Sequence, residues 1–137
     1  MKQKSKFLNV ICIIIFYLTG NLLLAQSKDS LIIADNSQAF YDIILVGESN
    51  GVVETSVKDL SKYLQQISGA QFEVKNKKGE KPAIYVGDKD QRFFNGKFSH
   101  LQTRNSFSVN MQRDSKGVND IYLVGQDSTA TAFAVYT

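Results

Sequence analysis

Cysteine, proline, tryptophan and histidine are almost missing from this chain of 137 residues, which has one cysteine, one proline, one histidine and no tryptophan. The cysteine, Cys12, lies in an apolar N-terminal stretch, so the rest of the chain can form no disulfide and perform no thiol chemistry. A zinc site needs several histidine, cysteine or carboxylate ligands close together. His100 is better explained as a loop residue beside Phe98 and Leu101. The sequence predicts no metal and no cofactor.

The glycine-rich phosphate loops that bind nucleotides are absent as well. The stretch 47–51, GESNG, does have the G-x-S-x-G spacing of the nucleophile turn in serine hydrolases. Five residues at this spacing are weak evidence alone, because such a motif is confirmed only by its structural context. Glycoside hydrolysis needs two carboxylates that face one sugar bond. Asp88 and Asp127 could be imagined as such a pair, because each follows a glycine at a predicted strand end. Acids in that position are far more often helix caps or turn residues, so we predict no catalytic residue in this chain.

The N-terminal stretch shows the order of features that is typical of secretory signal peptides. Lys2, Lys4 and Lys6 precede an apolar run over 7–24, and Ala25 offers a small residue for cleavage. An uncleaved membrane anchor is the alternative, since the run is about long enough to cross a bilayer. Polar residues interrupt the run, which favours cleavage.

The predicted leader accounts for the whole positive charge of the chain. We assign 1–25 to the signal peptide and 26–30 to a short polar leader, and we expect export to a periplasm, a cell surface or the medium. The chain has 16 basic and 13 acidic residues. Three lysines and no acid fall in the signal peptide, so the exported part has no net charge. Nucleic acid is therefore not an expected partner, and neither is a membrane after cleavage.

The stretch 52–69 has the clearest helical pattern in the sequence. Its apolar residues are spaced by four, three, four and three, which places them on one stripe of an α-helix; they are Val53, Val57, Leu60, Leu64 and Ile67. Gly69 ends the pattern, because glycine tolerates the left-handed conformation at a helix end. Asn50, Thr55 or Ser56 could cap the start, and the run from Ser56 to Asp59 fits a weak capping box.

Short apolar or alternating runs on both sides of this helix predict strands. They fall at 31–34, 41–46, 71–75, 83–86, 106–112 and 120–124. Residues 89–104 show no clear period, although they contain three phenylalanines. One turn is rich in lysine and is interpreted as a solvated hairpin; its lysines are Lys75, Lys77, Lys78 and Lys81.

A second helix is predicted at the C-terminal end of the sequence, with Asp127 or Ser128 as its cap. Its buried face would consist of Ala132, Phe133 and Tyr136. Two helical turns are marginal alone, so we expect a domain over 31–137 that is truncated within this helix. The order of elements predicts an α/β (α+β) fold, a two-layer sandwich in which a mixed β-sheet carries two helices on one face.

The segment 56–70, SVKDLSKYLQQISGA, resembles the helix of the small α/β domain that precedes the catalytic barrel in exported glycoside hydrolases. Domains of this type include the second domain of β-N-acetylhexosaminidases and the N-terminal domain of α-glucuronidases. The stretches 81–87 and 120–136 resemble the following strands and closing helix in the same order, so the resemblance covers roughly 31–137. Residues 128–131 depart from the pattern, because STAT stands where these domains usually carry a glycine.

The resemblance implies a non-catalytic accessory domain that buttresses the catalytic barrel of a glycoside hydrolase, with that barrel and the parent's glycan as partners. In these families the catalytic carboxylates lie on the barrel, so none maps onto this chain. Two alternatives remain: a carbohydrate-binding module, which would expose aromatic rings as a flat platform, and a structural or adhesion domain. The candidate platform residues are Tyr85, Phe93, Phe94 and Tyr122.

Overall fold

The computed structural model describes residues 31–47 and 51–137. The predicted signal peptide, the polar leader and the candidate cap Asn50 lie outside the described residues. In chain order the elements are β1 (Ala34–Asp35), β2 (Gln38–Ala39), β3 (Asp42–Leu45), α1 (Gly51–Ser68), β4 (Val74–Lys75), β5 (Ala83–Asp88), a 3-10 turn (Arg92–Phe94), β6 (Phe107–Arg113), β7 (Asn119–Gly125) and α2 (Ser128–Tyr136).

Five of the strands form one mixed sheet in the order β4-β3-β5-β7-β6. The strands β4, β3, β5 and β7 are parallel, and β6 is the antiparallel partner of β7 at one edge. The hairpin between β6 and β7 has the predicted turn, in which Gly117 has a φ of +80°. Both helices lie on one face of the sheet, so the predicted fold class is confirmed.

Side chains that alternate along the strands build the core beneath the helices. Ile43, Ile84 and Leu123 point to this face and pack against Val53 and Val57 of α1. The helix α1 lies over β3, β4 and β5, whereas α2 lies over β5, β6 and β7. Among the described residues, no helix combines the length and apolarity that a membrane crossing requires.

The buried stripe of α1 is shorter than the sequence predicts. Val53 and Val57 are buried, Leu60 and Leu64 are half-buried, and Ile67 is 84% exposed, so the assignment of Ile67 to the core is wrong. An 18-residue helix is about 27 Å long, whereas the four residues of β3 span only about 13 Å. The last turn of α1 therefore has no strand beneath it.

The proposed capping box in α1 is also wrong. The helix begins at Gly51, which places Ser56 in its second turn. There the Ser56 hydroxyl donates to the carbonyl of Val52 at 2.9 Å, and the Thr55 hydroxyl donates to the carbonyl of Gly51 at 2.7 Å. Both bonds return to the preceding turn, as serine and threonine commonly do inside helices.

The second face of the sheet is covered by the irregular segment 89–104. Phe94 and Phe98 are buried against the tyrosine pair of the central strands. Their rings meet edge to face at 5.2 Å, while the rings of Tyr85 and Tyr122 stack at 5.1 Å. The ammonium of Lys97 lies 4.5 Å from the centre of the Tyr122 ring, a favourable position for a cation. This segment replaces the helix that the second face would otherwise need.

Two predicted strands are shorter in the structure than in the sequence pattern. The run 31–34 contributes only its last residue to β1, which forms a two-stranded ribbon with β2. The turn between them is made by Asn36 and Ser37, both with positive φ, as its turn chemistry predicts. The run 71–75 is a strand only at 74–75, although Phe72 is buried in the core.

The buried face of α2 consists of small residues rather than aromatic ones. Asp127 is its cap, as predicted, since its carboxylate accepts from the backbone N–H of Ala130 at 2.9 Å. Ala132 is buried, but Phe133 and Tyr136 are exposed, so their assignment to the core is wrong. The close approach of the first turn of α2 to Gly125 explains the difference, because it leaves room only for small side chains.

We expect Gly125→Ala to destabilise the domain severely. A Cβ at Gly125 would overlap backbone atoms of Ala130 and Thr131, which cannot move without detaching α2 from the sheet. The expected loss in unfolding free energy exceeds about 2 kcal/mol. The matched control is Gly51→Ala, where a Cβ meets nothing within 4 Å, and it should change stability by less than about 1 kcal/mol. Equal denaturant melts for the two variants would contradict this account.

Candidate functional site

The carboxyl ends of β3, β5 and β7 meet at one edge of the sheet. The connection that leaves β3 leads through α1 to β4 on one side, whereas the connection that leaves β5 leads to β6 on the other. The ends of β3 and β5 therefore diverge, and ligands in open α/β sheets bind in the crevice at such a switch point. A cavity of about 570 Å³ lies there, within the usual range for small-molecule pockets.

The cavity is lined by the end of β3 and by the loop that follows β5. Its lining residues are Val46, Gly47, Asp90, Gln91, Arg92 and Phe93. Gly47 has a φ of +86°, and the side chain of Gln91 occupies the space that a Cβ at this position would need. Glycine is therefore required at 47 for both its backbone conformation and the packing of Gln91. We call this site the switch-point cavity.

A single 3-10 turn directs the two neighbouring phenylalanines to opposite environments. Phe94 is buried in the apolar cluster on the second face of the sheet, which we call the second core, while Phe93 is 53% exposed. The turn ends at Asn95, which takes the left-handed conformation with a φ of +45°. The ring of Phe93 still contacts the core, because its centre lies 4.7 Å from that of Tyr85. One aromatic ring is thus held at the cavity with part of its surface open to solvent.

Three consecutive polar side chains lie next to this ring. Asp90, Gln91 and Arg92 supply a carboxylate, a carboxamide and a guanidinium, which together can both accept and donate hydrogen bonds. None of the three side chains makes a hydrogen bond or an ion pair with the other described residues. Their polar groups are therefore available to a ligand in the cavity.

The two strand-end acids that sequence reasoning considered are structural. The carboxylate of Asp88 accepts from the hydroxyls of Ser128 at 2.9 Å and Thr131 at 2.6 Å. Asp127 caps α2 through Ala130. Both carboxylates hold the first turn of α2 against the end of the sheet, which agrees with their interpretation as caps and turn residues.

The opposite edge of the sheet carries two buried carboxylates that the sequence did not reveal. Asp42 accepts from the ammonium of Lys75 at 2.7 Å, and Asp120 accepts from that of Lys78 at 2.7 Å. Asp120 also accepts from the backbone N–H of Ala83. The interpretation of the lysine turn as a solvated hairpin is therefore wrong, because Lys75 and Lys78 form ion pairs and the flanking strands β4 and β5 both pair with β3 rather than with each other. The acids that bind them are remote in sequence, at 33 and 42 residues.

These ion pairs raise the pKa values of the two lysines. Hydrogen bonds to Asp42 and Glu73 raise the pKa of Lys75. Burial opposes the charge of Lys78, but its hydrogen bond to Asp120 raises its pKa above the ordinary value. One oxygen of Asp42, Oδ1, is buried without a hydrogen-bond partner among the described residues. The carboxylate of Asp42 thus holds the lysine turn to the sheet through Lys75.

His100 is exposed in the loop that covers the second face, and its ring centre lies 6.2 Å from that of Phe98. No group of three or more histidine, cysteine or acidic residues in the described part of the chain could hold a metal ion.

The outermost strand β6 carries an apolar strip on its surface, which we call the β6 strip. It consists of Phe107, Val109 and Met111, which are 37%, 54% and 50% exposed. These residues point to the helix side of the sheet, because their partners on β7 include Leu123 and Ile121. The sequence correctly predicts the strand and its alternation, but the expected burial of its apolar side is wrong, because these three residues are exposed.

No protein family model and no curated protein matches this chain.

We expect stability to fall as the pH rises above 10, with Tyr85 as a main cause. Burial raises the pKa of Tyr85 from 10.0 to about 12, so the folded state keeps a proton that the unfolded state loses. The contribution is fully present below pH 10 and is lost as the pH approaches 12, with a slope of up to about 1.4 kcal/mol per pH unit. The raised pKa values of Lys75 and Lys78 act in the same direction.

Urea melts of the parent and of Tyr85→Phe across this interval test the assignment. The variant should lose less stability than the parent as the pH rises. Tyr63→Phe, on the exposed side of α1, is the control and should follow the parent. If both variants follow the parent, burial of Tyr85 does not control the alkaline transition.

Proposed function

We propose that this chain is a non-catalytic accessory domain of an exported carbohydrate-active enzyme, in which it packs against a catalytic barrel. The ordered resemblance supports this reading, because its three stretches fall on α1, on β5 and on β7 with α2. The structural use of Asp88 and Asp127 in holding α2 supports a domain whose parent keeps its catalytic acids elsewhere.

The observation that carries the proposal is the β6 strip. Three large apolar side chains in a row on one face of a seven-residue edge strand are costly to leave in water. Contiguous apolar surface of this kind marks interaction sites in soluble proteins. A neighbouring catalytic domain of the same protein is the occupant that we assign to it.

A carbohydrate-binding module with a flat aromatic platform is less well supported. Tyr85, Phe94 and Tyr122 are buried in the second core, and only Phe93 of the four candidate rings is largely exposed. A platform needs several coplanar rings on the surface. A structural or adhesion domain without a sugar partner is the remaining alternative, and it differs in predicting no catalytic neighbour.

Replacing Val109 and Met111 together by glutamate should separate the two roles of the strip. In this chain alone the change should cost less than about 1 kcal/mol, because both side chains are half-exposed. In the parent enzyme the charges would be buried at the proposed interface, so the two domains should unfold in separate thermal transitions and be cut between them by proteases. The control is Asn110→Glu, on the opposite face of the same strand.

Three results would contradict the proposal. One is a parent in which the double variant and the control behave alike. Another is a natural protein that ends near Thr137. The third is hydrolysis of aryl glycosides by this chain alone that is lost in Asp88→Asn or Asp127→Asn.

Export is part of the same proposal and has its own test. The charged and apolar order of 1–25 supports cleavage after Ala25. N-terminal sequencing of the secreted protein should begin at Gln26 or a close neighbour. Protein that retains Met1 in the membrane fraction would contradict cleavage.

A further inference from the structure

The switch-point cavity combines one aromatic ring, which is supported from the core, with planar polar groups that make no bond to the other described residues. The ring of Phe93 is fixed against Tyr85 from the core side, and 53% of the residue stays exposed. Asp90, Gln91 and Arg92 line the same cavity. A ligand that fits this cavity must therefore offer an apolar face to the ring and hydrogen-bonding groups to the polar side chains.

A purely apolar ligand does not fit this lining. It would bury a carboxylate and a guanidinium without hydrogen bonds, and each such group costs free energy when it loses water without a partner. An anion such as phosphate fits poorly as well. Among the described residues of the lining, Arg92 is the one cation and Asp90 opposes it with a negative charge, so this part of the lining has no net charge.

A sugar ring has the complementary surfaces. The axial C–H groups of a pyranose form an apolar face that can pack on an aromatic ring, and its neighbouring hydroxyls each donate and accept. A carboxylate accepts two hydrogen bonds side by side, and a guanidinium donates two in the same geometry. We propose that the switch-point cavity binds one pyranose ring of a glycan, stacked on Phe93 and bonded by Asp90 and Arg92.

This inference rests on the proposed role in a carbohydrate-active protein. The switch-point cavity is the place where such a domain would bind the glycan. The site is a subsite with a single ring, since the other aromatic candidates are buried. Gly47 contributes by leaving space for the Gln91 side chain, which places the carboxamide at the cavity. One stacked ring with a few hydrogen bonds implies weak binding, in the millimolar range.

The test is an NMR titration of the chain with cellotriose, xylotriose and chitotriose, each in turn. At least one of them should produce saturable shifts in the amide signals of Gly47 and of residues 90–93. Phe93→Ala should weaken that binding by about tenfold or more, whereas Phe93→Tyr should keep the affinity of the parent. The matched control is Phe133→Ala, a phenylalanine of similar exposure on α2, which should change the affinity by less than about twofold.

The amide spectra also show whether each variant is folded, so loss of binding and loss of structure can be told apart. Absence of shifts with all three sugars would overturn the inference, as would shifts confined to other surfaces or equal binding by Phe93→Ala. A failed titration together with separated domains in the β6 double variant removes the subsite and leaves the accessory role. Binding at the cavity without any effect of the β6 variant supports the subsite and overturns the accessory role.

Discussion

The packing of Phe94 and Phe98 against the second face of the sheet is the contact on which the rest of the structure depends. One face of the sheet is covered by helices, and in the described part of the chain the irregular segment 89–104 keeps the tyrosines of the other face from water. The same segment carries Asp90 to Phe93 at the cavity. The position of the cavity lining is therefore set by the core immediately after it in sequence, and a change that loosens the core also displaces the lining.

Charged side chains have different roles at the carboxyl and amino ends of the parallel strands. At the carboxyl edge, the carboxylates of Asp88 and Asp127 hold α2, while Asp90 and Arg92 at the cavity make no side-chain bond to the other described residues. At the amino edge, lysines from one turn reach Asp42 and Asp120, which are buried. Breaking such a pair leaves a buried charge without a partner, which is costly, although the intact pair adds little net stability. These contacts therefore mainly fix the path of the turn.

Local patterns in the sequence predicted most of the secondary structure and the fold class. The heptad-like spacing of α1, the hairpin glycine Gly117 and the cap Asp127 each rely on neighbours within a few residues, and each is found in the structure. The errors concern the extent of burial. Whether Ile67 or Phe133 meets a strand depends on the length of the sheet beneath the helix and on how closely α2 approaches Gly125, and neither is encoded in helical periodicity.

The switch-point cavity was not found from the sequence for a similar reason. The neighbouring Arg92, Phe93 and Phe94 show no period, and their separation into one exposed ring and one buried ring depends on a single 3-10 turn. The divergence of the chain after β3 and β5 requires the sheet order, which comes from long-range pairing. The adjacency of polar and aromatic residues at 90–93, after a strand that ends in Gly-Asp, was the one signal available.

The two borders of the sheet are unequal, and this has a consequence for self-association. The strand β4 has two residues, whereas β6 has seven and carries its first charge only at Arg113. A border strand of that length can add a further strand through its free backbone groups, but a two-residue border offers too few. Within residues 31–47 and 51–137, growth of the sheet can therefore take place at one border only. Two copies that join through β6 would form a closed pair, since each has then used the one long border of this part of the chain, which offers no second strand for the open-ended stacking that leads to fibres.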